Sequence, residues 1–145
     1  MSDQIIYRGS GIFSYCGWPT IARDENTLFV AFSGNRIGHV CPFGKNLLVT
    51  STDEGKTWSM PQIINDSCLD DRDAGFLVTE KAKYLTYFCH PSTFYSNSFS
   101  EIERTVAPEL RPLAKGAIDV WNTMDKNLLM QIGLLASCMI FSCSW

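Results

Sequence analysis

The octapeptide Ser51-Thr52-Asp53-Glu54-Gly55-Lys56-Thr57-Trp58 constrains the fold more than any other part of the chain. It fits S-x-D-x-G-x-T-W at every fixed position, and each fixed residue type has a task in a tight hairpin. Ser and Asp side-chain oxygens accept hydrogen bonds from backbone N–H groups of a turn. Gly55 supplies a positive φ that other residues reach only at a cost. Trp58 offers a large ring to bury beside the hairpin base. The pattern predicts two antiparallel strands joined by the polar stretch 52–57, with Ser51, Asp53, Gly55 and Trp58 as structural residues.

The flanking sequence extends this reading. The β-prone run Thr27–Ser33 lies between the turn-forming Asp24-Glu25-Asn26 and Gly34-Asn35. Trp18–Ala22 is long enough to pair with it across a loop Arg23–Asn26, and Pro19 puts that first strand at an edge or at its own beginning. Asn46–Ser51 and Trp58–Ile64 are the strands on either side of the octapeptide. After an acidic loop Asp66–Asp73 the pattern restarts, with a strand Ala74–Thr79, a turn Glu80–Lys83 and a strand Tyr84–Cys89. Four short antiparallel strands in about 45 residues, then a new start, is the rhythm of propeller blades. A ring needs at least about four blades, more than 145 residues hold.

The remainder has a different character. Ser98-Phe99-Ser100-Glu101 reads as a capping box opening a helix that Pro108 and Pro112 break. A second helix is predicted over Leu113–Met124, with Leu113, Ala117, Val120, Trp121 and Met124 on one face. The apolar segment Leu128–Trp145 is shorter than the roughly 20 residues of a membrane span, contains Gln131 and has no basic anchor after it. It reads as a buried helix, or as a terminus produced by truncation or a shifted reading frame. The division is therefore 1–97, an incomplete propeller segment, and 98–145, a helical, apolar tail.

Composition excludes several classes of function. A net charge of -3, with no run of Lys or Arg, argues against nucleic acid as a partner. The N-terminus lacks the basic region and apolar stretch of a secretory signal. The chain as written is expected in the cytosol, or secreted or periplasmic if a leader was removed. Six cysteines at wide spacings, with no CxxC pair, read as buried free thiols. His39-Val40-Cys41 and Cys89-His90 lack the spacing of zinc sites, so neither metal nor cofactor is expected. Nothing in the sequence sets an oligomeric state.

The octapeptide is an Asp-box, and with its neighbouring strands the stretch from Trp18 to about His90, about half the chain, resembles the opening of a sialidase-like (neuraminidase, BNR-repeat) propeller. The resemblance implies an all-β fold: a partial propeller of the six-bladed kind, with about one and a half blades present. It also implies a glycoside hydrolase acting on terminal sugars, sialic acid being the first expectation, of which this chain is an N-terminal fragment. A non-catalytic propeller module binding glycans or proteins is the alternative.

Sialidases resemble one another in an arginine cluster that clamps a carboxylate, an early-loop aspartate acid/base, and a tyrosine nucleophile paired with a glutamate. In place of the family's first arginine stands Gly17-Trp18-Pro19. Ser33-Gly34-Asn35-Arg36 resembles the second early arginine, which makes Arg36 the substrate-binding carry-over. The stretch 37–45 holds no aspartate, and His39 is the residue there suited to proton transfer. The other source of an acid is Leu69–Gly75, the densest charge cluster. There Asp71 and Asp73 form a candidate acid/base pair whose mutual repulsion raises one pKa, and Arg72 holds one of them. A solvated acidic turn is the alternative for this cluster. The nucleophile and later arginines belong to further blades, and Tyr84, Tyr87 and Tyr95 read as packing residues.

Overall fold

The computed structural model describes residues 3–90, 95–135 and 139–143. Strands β1 (Tyr15–Asp24), β2 (Thr27–Arg36), β3 (Lys45–Ser51) and β4 (Gln62–Asn65) form an antiparallel sheet in chain order. The first hairpin is tighter than the sequence predicts, because Asp24 pairs with Thr27 across Glu25-Asn26 and Glu25 adopts φ 49°. The β1 ladder slips twice between Tyr15 and Thr20. Pro19, which has no N–H to donate, lies in that irregular stretch.

The Asp-box turn joins β3 to β4, two paired antiparallel strands. Its hydrogen bonds are local. The Ser51 hydroxyl accepts from Gly55 N (2.9 Å) and donates to Asp53 Oδ1 (2.8 Å). The Asp53 carboxylate accepts from Thr57 N (2.9 Å) and Thr57 Oγ1 (2.6 Å). Gly55 takes φ 84°, and Trp58 Nε1 donates to its carbonyl at 3.2 Å. Trp58 precedes β4, which is shorter than the predicted strand Trp58–Ile64. Pro61 lacks a donor, and Ser59 instead closes the base through Ser59 N to Thr50 O (2.8 Å) and Thr50 N to Ser59 Oγ (3.0 Å).

A second antiparallel sheet has the order β5 (Asp70–Val78), β6 (Lys83–His90), β7 (Met139–Cys143). Neither sheet closes on itself. Two expectations change here. The predicted acidic loop ends early, because Asp70, Asp71 and Arg72 are already paired strand residues and Asp73 lies within β5. The apolar terminal segment is not one buried helix, since it divides into a helix and the strand β7, which pairs with β6 from Lys83 to Tyr87. Backbone groups of a β6 edge gain partners from β7, which favours the strand.

One face of the first sheet packs on the second through Ala31 and Leu48 against Ala74, Leu85 and Tyr87. Phe29 and Phe76 stack across this seam at 5.1 Å. Its opposite face buries Val30, Phe32, Leu47 and Val49 beneath Ile6, Tyr7 and Trp58. Strands covered on both faces carry unbroken apolar runs, as in Leu47-Leu48-Val49.

The helices are α1 (Tyr95–Thr105), α2 (Arg111–Asn122) and α3 (Lys126–Leu135), with a short 3₁₀ turn over Pro108–Leu110. Helix α1 starts before Ser98, so Ser98 and Glu101 lie inside it and do not form the predicted capping box. Pro112 sits in the first turn of α2, where a missing N–H costs nothing, and begins that helix instead of breaking one. The buried face of α2 is Ala114, Ile118 and Trp121, while Leu113 and Val120 are 61% and 64% exposed. The predicted stripe holds at Trp121 and, half-buried against the core, at Ala117. That residue sets the helix rotation by donating its indole N–H to Cys68 O (3.2 Å) and packing edge-on against Phe99. Helices α1 and α2 pack on the β2–β3 loop through Ile102, Val106, Ala114 and Ile118 against Ile37 and Cys41.

Cys41 and Cys89 are buried free thiols, whereas Cys16 is exposed and Cys68 half-buried. Cys138 lies outside the described residues. Among the described residues no helix is long and apolar enough to cross a membrane.

The hydroxyl and N–H of Thr57, with Ser51, hold the Asp53 carboxyl down to about 2 from its ordinary 3.8. A depressed carboxyl contributes stability above its unfolded value and loses it as pH falls through the folded one. Thermal melts should therefore show wild-type stability declining from about pH 4 to about pH 2, and Asp53→Asn should remove that part of the slope while lowering the melting temperature at pH 7. Trp58→Ala should cost about 2 kcal/mol, less than a fully buried tryptophan, in denaturant melts.

Candidate functional site

The two ends of the sheets differ in kind. The Asp-box lies where β3 ends, beside Leu28. Arg36, His39, Asp70 and His90 lie at the other end, where β2 and β6 finish and β3 and β5 begin.

Arg36 is fully buried, and its guanidinium is spent on the protein. It donates to Gly38 O (3.4 Å), His39 O (2.7 Å) and Asp71 O (3.0 Å), and it pairs with the fully buried Asp70 carboxylate. A side chain at Gly44 would overlap the guanidinium and crowd Asp70, which explains the glycine. The expected role of Arg36 as a substrate clamp is therefore corrected. Its donors are directed at carbonyls and at Asp70, so it braces β2, the β2–β3 loop and β5 against each other.

Asp70 also faces Arg72, whose Nη1 lies 3.4 Å from Asp70 Oδ2. Burial pushes the Asp70 carboxyl up to about 6, against the pull of Arg36 and Arg72. Asp71 is fully buried and points elsewhere. It accepts from the Ser67 hydroxyl (2.8 Å) and the Ser67 N–H, which fastens the β4–β5 connection. Burial raises its pKa as well. The predicted Asp71/Asp73 pair is thus not assembled. The raised carboxyls are Asp70 and Asp71, and the first cause in each is burial rather than repulsion by a neighbour. The alternative of a solvated acidic turn also fails for Asp70, Asp71 and Arg72, all buried.

Asp73 occupies a different environment. It lies within a register slip between Arg72 and Gly75, takes φ 52°, and its side chain is 37% exposed. Its N–H donates to Ser33 Oγ (2.9 Å), and Ser33 in turn donates to Asn46. Its Oδ1 stands 3.6 Å from Arg72 Nε, and neither atom has a hydrogen-bond partner.

Trp18 roofs this group. Its ring lies 4.4 Å from the Arg72 guanidinium carbon and 5.3 Å from that of Arg36, with Phe88 on Arg72 at 5.8 Å. Cation–π contacts of this kind are worth on the order of 1 kcal/mol each. His39 is exposed and meets Trp18 edge-on at 5.1 Å, and its Nδ1 is 3.4 Å from the Tyr15 hydroxyl. Trp18, expected as a strand residue standing where the family has an arginine, and Tyr15 thus join the site, and His90, weighed in the sequence only as half of a zinc pair, lies at the same end. Both histidines of the chain lie at this end. Burial, followed by the charges of Arg72 and Arg36, lowers the pKa of His90.

The structure thus brings together Arg72, Asp73, His39 and Trp18, and places Arg36 and Asp71 behind them. Among the described residues no three His, Cys, Asp or Glu side chains converge as a metal site requires. Fold and site together define a mostly β chain of open antiparallel sheets with one polar, aromatic-roofed end. The sequence matches no family model, and no curated protein or solved structure matches it.

Removing one partner of a buried ion pair strands the other. Arg36→Met should cost about 3–5 kcal/mol, and Gly44→Ala about 1–3 kcal/mol through overpacking, both read by chemical denaturation. Asp70 carries a raised pKa, so its contribution is full below about pH 4 and is lost as pH rises to about 6. Asp70→Asn should flatten that decline in a pH series of melts.

Proposed function

We propose that this chain forms part of the sugar site of a sialidase-like glycoside hydrolase, with its two sheets as neighbouring propeller blades. The observation that carries the reading is the division of the sheet ends. A complete Asp-box turn closes one end, and an arginine, a part-exposed carboxylate and an aromatic roof stand at the opposite end. The stacking of the sheets agrees with this reading, since β5 lies along β1, β2 and β3 as the first strand of one blade lies against the next.

In this reading Asp73 is the acid/base. It combines exposure with an adjacent guanidinium, while Asp70 and Asp71 are sealed. Arg72 is itself buried between Trp18 and Phe88, so its positive charge acts on a carboxylated terminal sugar such as sialic acid only from behind Asp73 and the indole, while Arg36 positions Asp70 and the loop of His39. Trp18, in the place of an arginine, offers an indole face for a sugar ring. One observation favours the second reading, a glycan-binding module without catalysis. Within the Asp70–Asp73 run only Asp73 stands clear of buried contacts, so a second carboxylate is not supplied there.

Calorimetry with sialic acid and a fluorogenic sialoside assay separate the two. On the enzyme reading, Asp73→Asn in a protein that carries the remaining blades should lower turnover by about 100-fold or more, as loss of a general acid does, with sugar affinity little changed. Sugar binding with no hydrolysis by a protein that carries the remaining blades would favour the module. No binding and no hydrolysis of any glycoside tested would sink both.

A further inference from the structure

The arginines at the polar end of the sheets are sealed behind an indole, while a carboxylate beside them meets water. We infer that the ligand of this end is an uncharged terminal sugar, stacked on Trp18 and hydrogen-bonded to Asp73, in place of the carboxylated sugar that the family resemblance implies. The inference rests on the sugar-site reading and changes only the class of sugar.

The cations that β2, β3 and β5 carry to this end are all engaged. Arg36 is fully buried and pairs with Asp70. The Arg72 side chain is 5% exposed, lies against Trp18 and Phe88, and faces Asp70 Oδ2 at 3.4 Å and Asp73 Oδ1 at 3.6 Å. Lys45, where β3 begins, pairs with Asp66. A ligand carboxylate gains from an arginine only where the guanidinium fork reaches it, and here the charge it meets first is that of Asp73. Like charges repel, and stripping water from an unpaired carboxylate costs more. A ligand ammonium is no better placed, since Asp73 already has Arg72 beside it.

Uncharged groups find better partners. His39 and Tyr15 are exposed, and the half-buried Trp18 lies beside both, its ring 5.1 Å from His39 and 6.0 Å from Tyr15. An indole offers an apolar face to the C–H side of a sugar ring, while the imidazole and phenol supply hydrogen bonds to its hydroxyls. The Asp73 carboxylate, with 37% of its side chain exposed, accepts from hydroxyls in charge-assisted bonds. The guanidinium groups beneath Trp18 fix its ring before a ligand arrives, which lowers the ordering cost of binding.

The test is calorimetric titration of the full chain with two matched pairs, methyl glucoside with methyl glucuronoside and methyl galactoside with methyl galacturonoside, and with sialic acid. The members of a pair differ only in a carboxylate. The expected result is binding of a neutral member at millimolar concentration, with its acidic partner and sialic acid weaker by tenfold or more. Asp73→Asn should narrow that gap several-fold by removing the exposed negative charge. Trp18→Ala should weaken the neutral sugar tenfold or more, and Trp18→Phe should restore most of that loss. An acidic sugar bound by wild type as tightly as its neutral partner, or neutral binding untouched in a folded Trp18→Ala variant, would overturn the inference and leave the sugar-site reading standing. Undetectable binding of all of these sugars would overturn both.

Discussion

Arg36 brings a full positive charge into the seam between the two sheets, and the surrounding chain is arranged to answer it. An unpaired charge there would cost many kcal/mol. Asp70 from the second sheet supplies the counter-charge, and the carbonyls of Gly38, His39 and Asp71 take the remaining donors. Meeting those carbonyls obliges the loop after β2 to fold back over its own strand. That loop then presents Ile37 and Cys41 as a floor for α1 and α2, and turns His39 outward. The position of a surface histidine is thus set by a residue that never reaches the surface.

The Asp-box end shows the opposite economy. Its side-chain hydrogen bonds run among residues 51–58, joined by Gln4 Nε2 donating to Lys56 O, and among the described residues none comes from the second sheet. Such a turn folds the same way in many surroundings and leaves its neighbours free to vary. Non-glycine residues hold positive φ at both ends, Glu25 and Glu54 in the turns at the Asp-box end and Trp18, Asn35 and Asp73 at the other. Non-glycine residues so placed cost of order 1–3 kcal/mol each, and tertiary contacts must hold them. Trp18 is held by two guanidinium groups and a histidine ring, and Asp73 by the Ser33 hydroxyl.

This contrast explains what was legible in the sequence. The Asp-box and the six strands around it could be read, because turn chemistry and β-propensity act over a few residues. Strand ends moved by up to four residues, as at Asp70, because pairing partners rather than propensity end a strand. Burial of Asp70, Asp71 and Arg72 was not legible. A run of charges signals solvent unless the partner is known, and the partner Arg36 lies 34 residues away. The rotation of α2 was misread for a related reason, since the Trp121 bond to Cys68 O outweighs the apolar stripe. β7 was hidden in a segment with no alternation, where strand and buried helix look alike.

The site depends on two breaks in strand parity that face one another. In a regular strand Asp71 and Asp73 share a face, and the pair would either both be sealed or both meet water. The slip between Arg72 and Gly75, with the left-handed backbone of Asp73, separates them: Asp71 turns under toward Ser67 while Asp73 turns out beside Arg72. The slips in β1 around Trp18 do the same on the adjoining strand, bringing an indole over Arg72 that a regular ladder would aim elsewhere. A guanidinium between two aromatic rings, with one carboxylate at its edge, follows from these two irregularities rather than from the count of charges. A sequence rule that counts acidic residues sees a pair where the backbone has made a single one available.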